Sequence, residues 1–129
     1  MGMDQKVVFD VDRAPTWLQL RDLLSARGLP LQLRMIDAEL AFPDEEPAET
    51  WRELRVGTPL GMVTLRREDD GIRLVTWGNA DASMQQAWNA LAWAIAKVSG
   101  GFVETPSGRL SAADFARTAE LSAGIAGDS

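Results

Sequence analysis

The sequence predicts an α+β fold: a single, mostly antiparallel five-stranded sheet with helices packed on one face, in the order β-α-β-β-β-β-α-(β)-α. Two patterns carry this prediction, namely short β-branched or alternating runs separated by turn residues, and two longer segments with helical periodicity. Successive strands joined by short turns favour antiparallel pairing, and the helices then gather on one side. The 129 residues, of which 46% are hydrophobic, are enough for one domain.

The first half of the chain is predicted to place one helix between strands. Residues 6–12 are rich in β-branched residues and predict the first strand. Residues 15–28 predict an amphipathic helix, because proline suits its first turn and glycine its C-terminal stop. Residues 31–42 alternate in polarity but slip in phase, which we interpret as one strand with a bulge near Met35–Ile36. The bulge would restore a single buried face that includes Leu40 and Phe42. An acidic loop with two prolines follows at 43–49.

The second half is predicted to contain a hairpin and the longest helix. Residues 50–56 predict a strand, and two further strands flank the turn signal at 69–71. Residues 80–101 predict a long helix that stops at a glycine pair, and 101–103 are expected to add a short strand. A final helix is marked by an N-cap, a third-position acid and a staple pair, which are Ser111, Asp114, and Leu110 with Phe115.

The ends of the chain set the expected domain limits and location. We expect a single domain over residues 1–121, with 122–129 as a frayed C-terminal tail. The first ten residues lack the pattern of a signal peptide, and no apolar run is long enough to cross a bilayer. The expectation is a cytoplasmic protein that does not act at a membrane.

Composition limits the chemistry that the chain can perform. It contains no cysteine, histidine or tyrosine. Disulfides and thiolate chemistry are therefore excluded, and the commonest general base and metal ligand are missing. We expect a protein that is not an enzyme and that uses neither a metal nor another cofactor. The net charge of −6 disfavours nucleic acid and permits a basic protein as partner; the alternative is that the charge serves only solubility.

The long helix raises the question of what covers one of its tryptophans. A continuous apolar stripe marks the side expected to face the sheet, and it consists of Met84, Trp88, Leu91, Ile95 and Val98. Trp93 lies opposite this stripe, between alanines. Two coverings remain open: the final helix folds back over Trp93, or a partner covers it, a second copy of the chain included.

The hairpin strands place arginines and apolar residues together on the side away from the expected core. Either the arginine stems or a tail shield the apolar residues, or the face is used for contact. The candidate partner-binding residues are Trp77, Trp93, Trp51, Arg66, Arg73, Val75 and Met62. The acidic loop offers a second candidate contact, for a basic partner, through Asp44, Glu45, Glu46 and Glu49; the alternative is a solvated loop.

A strand that ends in Asp10-Val11-Asp12 resembles the first motif of haloacid-dehalogenase-type phosphatases. The resemblance implies a nucleophilic carboxylate at Asp10, an acid–base carboxylate at Asp12, and a magnesium ion. Arg13 and Ala14 depart from the residues that this family prefers after the second aspartate. A carboxylate- and metal-dependent hydrolase is therefore one alternative function.

The segment 101–115 resembles the end of small uncharacterised or immunity-type bacterial α+β proteins. It has a glycine after a helix, a short apolar strand, a Pro-x-Gly turn and a capped final helix. The resemblance implies a toxin-neutralising or chaperone-like role. The leading hypothesis is a non-enzymatic, cytoplasmic protein-binding domain of the immunity type that neutralises a basic toxin. A small acidic homodimer of the secretion-chaperone type is the other alternative.

Overall fold

The computed structural model describes residues 3–76, 82–106, 108–121 and 123–126, and it has an α+β fold. The strands are β1 (Met3–Val8), β2 (Gln32–Ile36), β3 (Glu39–Leu40), β4 (Glu53–Thr58), β5 (Gly61–Glu68), β6 (Gly71–Thr76), β7 (Phe102–Thr105) and β8 (Gly108–Ser111). The helices are α1 (Trp17–Ala26), α2 (Ala82–Ser99), α3 (Ala112–Thr118) and α4 (Ala123–Ala126), with a 3₁₀ turn at Val11–Arg13.

The strands form one sheet in the order β3-β2-β4-β5-β6-β1-β7-β8. Every strand pair within the described ranges is antiparallel, so the predicted α+β class and sheet type are confirmed. The predicted number of five strands is wrong, because the sheet has 8. β1 lies between β6 and β7, and the hairpin predicted at the Asp69–Gly71 turn joins β5 to β6.

The additional strands arise at two turns. The segment predicted as one strand over 31–42 is split into β2 and β3 by a turn at Asp37 and Ala38, whose φ angles are 48° and 70°. A register shift between Leu33 and Met35 also interrupts the pairing of β2 with β4. The phase slip in the sequence therefore reflects a shift and a chain reversal together. At the other edge, β7 and β8 form a second short hairpin.

α1 begins with a complete capping box. The Thr16 side chain accepts a hydrogen bond from the Gln19 backbone N–H, and the Gln19 side chain accepts one from the Thr16 N–H. Both donors would otherwise lack a partner in the first helical turn. Pro15 precedes this cap and is not in the first turn as predicted. Gly28 follows the C-terminus with a φ of 85°, a conformation that glycine adopts without strain.

α2 is the centre of the helical layer. It contacts β1, β5, β6 and β7 on one side, and α1, α3 and α4 on the others. Between Ala87 and Ala96 every side chain is buried except Trp88 and Asn89, which are partly buried. The polar groups of these two side chains form hydrogen bonds. The Trp88 indole donates to the Leu74 carbonyl at 3.0 Å, and the Asn89 side chain accepts from the Gln5 side chain at 3.2 Å. The helix is thus packed all round, not along one stripe.

The sheet has a helix-covered face and an opposite face. Directly opposed residues of antiparallel strands share a face, so the register assigns each side chain to one of them. The helix-covered face holds a row of fully buried aliphatic side chains that runs across the sheet and consists of Leu33, Val56, Val63, Leu54, Leu65, Leu74, Ile72, Val7 and Val103. Together with the apolar side chains of the helices, this row forms the core.

The C-terminal segment closes the helical layer. The Ser111 hydroxyl accepts a hydrogen bond from the Asp114 backbone N–H at 3.2 Å, which confirms the predicted cap of α3, and Phe115 is buried. In the segment expected to fray, α4 is present and Ile125 is buried in the core. Residues 127–129 of the expected tail lie outside the described residues.

Gly71 provides a test of the close approach between β6 and β1. A Cβ at this position would overlap the backbone carbonyl of Val7, which cannot move without breaking the central pairing. We expect Gly71→Ala to lower the free energy of unfolding by about 3 kcal/mol, the upper end of the usual range for overpacking. Urea denaturation followed by circular dichroism measures the change.

Gly57→Ala is the matched control. The atoms nearest to its Cβ would belong to the Arg34 side chain, with Nε at 2.9 Å, and that side chain can move aside. We expect its stability to stay within about 1 kcal/mol of the parent chain. Equal losses in the two variants would contradict the assigned register of β6 and β1.

Candidate protein-contact surface

The face of the sheet opposite the helices is the first candidate surface, and we call it the outer face. All four described helices pack directly or through α2 on the other side. The register brings to the outer face Lys6, Val8, Met35, Leu40, Glu53, Arg55, Met62, Thr64, Arg66, Glu68, Arg73, Val75, Phe102, Glu104 and Arg109. Arg66, Arg73, Val75 and Met62 lie on this face, as predicted from the alternation of the hairpin strands.

Ion pairs cross the strands of the outer face. Glu68 accepts from Arg73 Nε at 3.0 Å and lies 2.9 Å from Lys6 Nζ. Arg66 Nε donates to Glu53 at 3.2 Å, on the neighbouring strand β4. Because these pairs are solvent-accessible, each contributes little stability by itself. Their main effect is to fix the directions in which the arginine side chains lie.

The ion pairs also shift the ionisation of their members. The hydrogen bonds from Arg73 and then Lys6 hold the pKa of Glu68 below its ordinary value. The pKa of Lys6 is raised, first by its hydrogen bond to Asp70 and then by Glu68. The Asp70 carboxylate, in turn, has a lowered pKa because of Lys6. The cluster is therefore fully charged at neutral pH.

Two residues at the middle of the outer face are buried although no described helix covers them. Thr64 is 2% exposed and Val75 is 7% exposed, and the two are directly opposed on β5 and β6. The long side chains of Arg66 and Arg73 flank them on the same face. Arginine stems shield apolar surface in this way while their charged ends stay in water. Val75 is therefore not itself available for a contact.

Apolar side chains nevertheless remain exposed across the width of the outer face. Leu40 lies on β3, Met62 on β5 and Phe102 on β7, and they are 89%, 43% and 46% exposed. Among the described residues, the other large hydrophobic side chains with comparable exposure are Val11 and Phe42. Exposed apolar groups interspersed with arginine are typical of protein-contact surfaces.

The β2–β3 hairpin carries the most exposed part of this surface. Leu40 is followed by Phe42, which is 74% exposed, and then by the predicted acidic loop. The Phe42 N–H donates to the Glu45 carboxylate at 3.3 Å, and the Glu45 N–H donates to the Phe42 carbonyl at 3.0 Å. Asp44, Glu46 and Glu49 are also exposed. The acidic loop thus lies directly beside two exposed apolar side chains.

Sequence reasoning missed Leu40 and Phe42 because it placed them on the buried side of a single strand. The available signal was Asp37, a residue that tolerates positive φ and stands where the phase slips. A chain reversal there puts the second arm at the edge of the sheet. Asp37 holds the turn in place, since its carboxylate accepts from the backbone N–H groups of Arg52 and Glu53 at 2.8 and 2.9 Å. These bonds lower the pKa of Asp37.

Trp93 is covered within its own chain. It is 2% exposed, and the Arg27 guanidinium at the end of α1 lies over its ring, 5.6 Å from the centroid. Arg27 also donates to the carbonyl of Ile125 in α4 at 3.0 Å, and Lys97 approaches the ring at 5.8 Å. The cover is therefore internal, and the cations over the ring come from Arg27 at the end of α1 and from Lys97 of α2 itself.

The other two candidate tryptophans do not provide an exposed ring either. Trp51 is 2% exposed, and the Arg67 guanidinium stacks over it at 4.3 Å from the centroid. Arg67 also donates to the Glu49 carbonyl at 2.6 Å, and burial lowers the pKa of this guanidinium. Trp77 lies outside the described residues. Among the described residues, no tryptophan ring is therefore fully exposed to solvent.

The first strand, predicted over 6–12, ends at Val8, so the two aspartates of the hydrolase alternative follow β1, with Asp12 in the 3₁₀ turn Val11–Arg13. Asp10 lines a shallow cleft of about 300 Å³ with Arg13 and Arg109, and Asp12 lines the adjoining cleft with Lys97. Among the described residues, no group of three acidic side chains is placed to hold a metal ion. The clefts therefore bring carboxylates and cations together.

Comparisons with known proteins gave no match to a family model, to a curated protein or to a solved structure. The resemblance of segment 101–115 to immunity-type proteins therefore remains an expectation from the sequence. None of the helices in the described ranges has the length and hydropathy needed to cross a bilayer.

Trp93 and Phe42 form a contrasting pair for measuring burial. We expect Trp93→Ala to lower the free energy of unfolding by about 3–5 kcal/mol, because it empties a large site in the core. Phe42→Ala should change it by less than about 0.5 kcal/mol, since its ring already lies in water. Urea denaturation of both variants checks this. A large loss for Phe42→Ala would contradict its exposed position.

Glu68→Gln tests the ion pairs of the outer face. The folded-state pKa of Glu68 lies below the ordinary value of 4.5, so its pairs stabilise the fold above that pH and the contribution is lost as pH falls through the lowered pKa. At pH 7 we expect the variant to lose about 0.5–1 kcal/mol, a small value because both pairs are partly solvated.

The difference between Glu68→Gln and the parent chain should shrink as the pH of the denaturation series falls below 4.5. Glu46→Gln, in the exposed loop, is the control and should cost little at any pH. A difference for Glu68→Gln that stays constant down to the acid limit would contradict the pairing.

Proposed function

We propose that the chain is a protein-binding domain without catalytic activity, and that its partner binds the outer face together with the acidic loop. The observation that carries this proposal is the row of exposed apolar side chains Leu40, Met62 and Phe102 on a face that no described helix covers. A soluble domain with its own helical layer gains nothing in stability from such exposed groups. Burial of these side chains against a partner is favourable, because it removes their apolar surface from water.

The charge distribution supports a basic partner. The acidic loop has the sequence PDEEPAE, in which no basic residue offsets the carboxylates of Asp44, Glu45, Glu46 and Glu49. The outer face, by contrast, has its carboxylates paired with cations. A partner that carries positive charge opposite the loop gains both faster encounter and the correct orientation.

The immunity-type role is the more specific form of this proposal. Of the features that suggested it, the short strand is present as β7 and the capped helix as α3. In that role the chain masks a basic toxin within the same cell. A second copy of the chain is the competing occupant of the outer face, as in an acidic secretion-chaperone-type homodimer.

Affinity capture tests the protein-binding function. We expect the tagged full chain, incubated with a lysate of its source organism, to retain a stoichiometric partner that mass spectrometry identifies as a basic protein. The double variant Met62→Ser, Phe102→Ser should retain several-fold less, because it removes two apolar contacts. Val11→Ser is the matched control, since Val11 is exposed but lies in the 3₁₀ turn after β1.

Sedimentation of the same chain at micromolar concentration distinguishes a basic protein partner from a second copy of the chain as the molecule that binds the outer face. A monomer that captures a basic protein supports the proposal. A stable dimer that captures nothing else would replace it with the homodimer, and equal capture by all variants would remove the outer face from the contact.

A further inference from the structure

We infer that the β2–β3 hairpin is the anchor of the contact, and that Leu40 and Phe42 receive a basic segment of the partner that also presents apolar side chains. The inference rests on the proposed function and names the part of the surface and the chemistry of the ligand. Leu40 and Phe42 are the most exposed of the large described hydrophobic side chains, at 89% and 74%.

The backbone holds these two side chains in a defined arrangement. The Ala41 N–H donates to the Arg34 carbonyl at 3.1 Å, so the pairing with β2 continues past the end of β3. Reciprocal hydrogen bonds with Glu45 fix the main chain of Phe42. Little main-chain conformational entropy is then lost when a ligand contacts this pair.

The contact depends on side chains more than on strand addition. β3 has only two residues, and the N–H and C=O of Phe42 are occupied by Glu45. An added strand would find few main-chain partners at this edge, so main-chain pairing alone would give little affinity. Affinity must come from burial of the Leu40 and Phe42 side chains, and specificity from the charges around them.

The acidic residues around Leu40 and Phe42 determine which kind of molecule binds there. Glu39 precedes Leu40, and Asp44, Glu45 and Glu46 follow Phe42 within the same short stretch. A second copy docked on this hairpin would bring two such acidic groups together, which is unfavourable. Anionic lipid and nucleic acid are disfavoured for the same reason. A segment with lysine or arginine beside apolar residues satisfies both the exposed side chains and the acidic rim.

Titration with synthetic peptides tests this inference on the full chain. The probe is a helix-forming peptide of leucine and lysine; its two controls replace every lysine by glutamate or every leucine by serine. Two-dimensional NMR of the ¹⁵N-labelled protein should show shifts for the leucine–lysine peptide alone, centred on residues 36–46. Binding should weaken as salt is raised, because part of the attraction is electrostatic.

Variants of the protein separate the contribution of the apolar side chains to binding from that of the acidic side chains. We expect Leu40→Ser with Phe42→Ser to weaken the apparent Kd at least about tenfold, equivalent to the loss of about 1.4 kcal/mol. Asp44→Asn with Glu46→Gln should weaken it about threefold and flatten the salt dependence. Val11→Ser should bind like the parent chain, because it removes an exposed aliphatic side chain away from the hairpin.

The outcomes separate this inference from the protein-binding function. Shifts centred on Met62 and Phe102, or equal binding by the Leu40/Phe42 variant, would overturn the anchor and leave a contact elsewhere on the outer face. Equal binding of the lysine and glutamate peptides would overturn the basic chemistry of the ligand. A native partner captured by the parent chain and by the Leu40/Phe42 variant alike would also overturn the anchor, whereas capture of no partner at all would overturn the proposed function.

Discussion

The burial of α2 on all sides is the constraint on which the rest of the structure depends. A helix that has the sheet beneath it and three other helices around it must present small side chains to several neighbours at once. The buried alanines of α2, which are Ala87, Ala90, Ala92, Ala94 and Ala96, meet this requirement, since interaxial distance depends on the side chains at the contact. The large exception, Trp93, lies where the ends of α1 and α4 meet, and the Arg27 side chain closes the layer over it.

Sequence patterns predicted the elements whose signals are local. The capped start of α3 at Ser111 and the turn at 69–71 depend on neighbours in the chain, and both are present. The β2–β3 turn was missed because it needs a positive φ at Ala38, which the alanine side chain does not favour. The cover of Trp93 was undetermined because its partners come from distant parts of the chain, and no local pattern records such a pairing.

The candidate surface was predictable in part, for related reasons. Alternation along β5 and β6 was enough to place Arg66, Arg73 and Met62 on one face, because strand periodicity fixes the side of each residue. The exposure of Leu40 and Phe42 could not be predicted from alternation, because it follows from the position of β3 at the edge of the sheet. Charge is likewise organised by the fold: the outer face pairs its carboxylates with cations, and the loop at 43–49 concentrates them.

The position of β1 between β6 and β7 has a consequence for the order in which the chain acquires its structure. Strands β4, β5 and β6 follow one another closely and can pair as soon as they have left the ribosome. β1 is synthesised long before them, yet both of its neighbours come from the second half of the chain. Closing such long loops is entropically costly and slow. β1 therefore waits with unpaired edges until β6 and β7 have been synthesised, a period in which a holdase-type chaperone would protect it from aggregation.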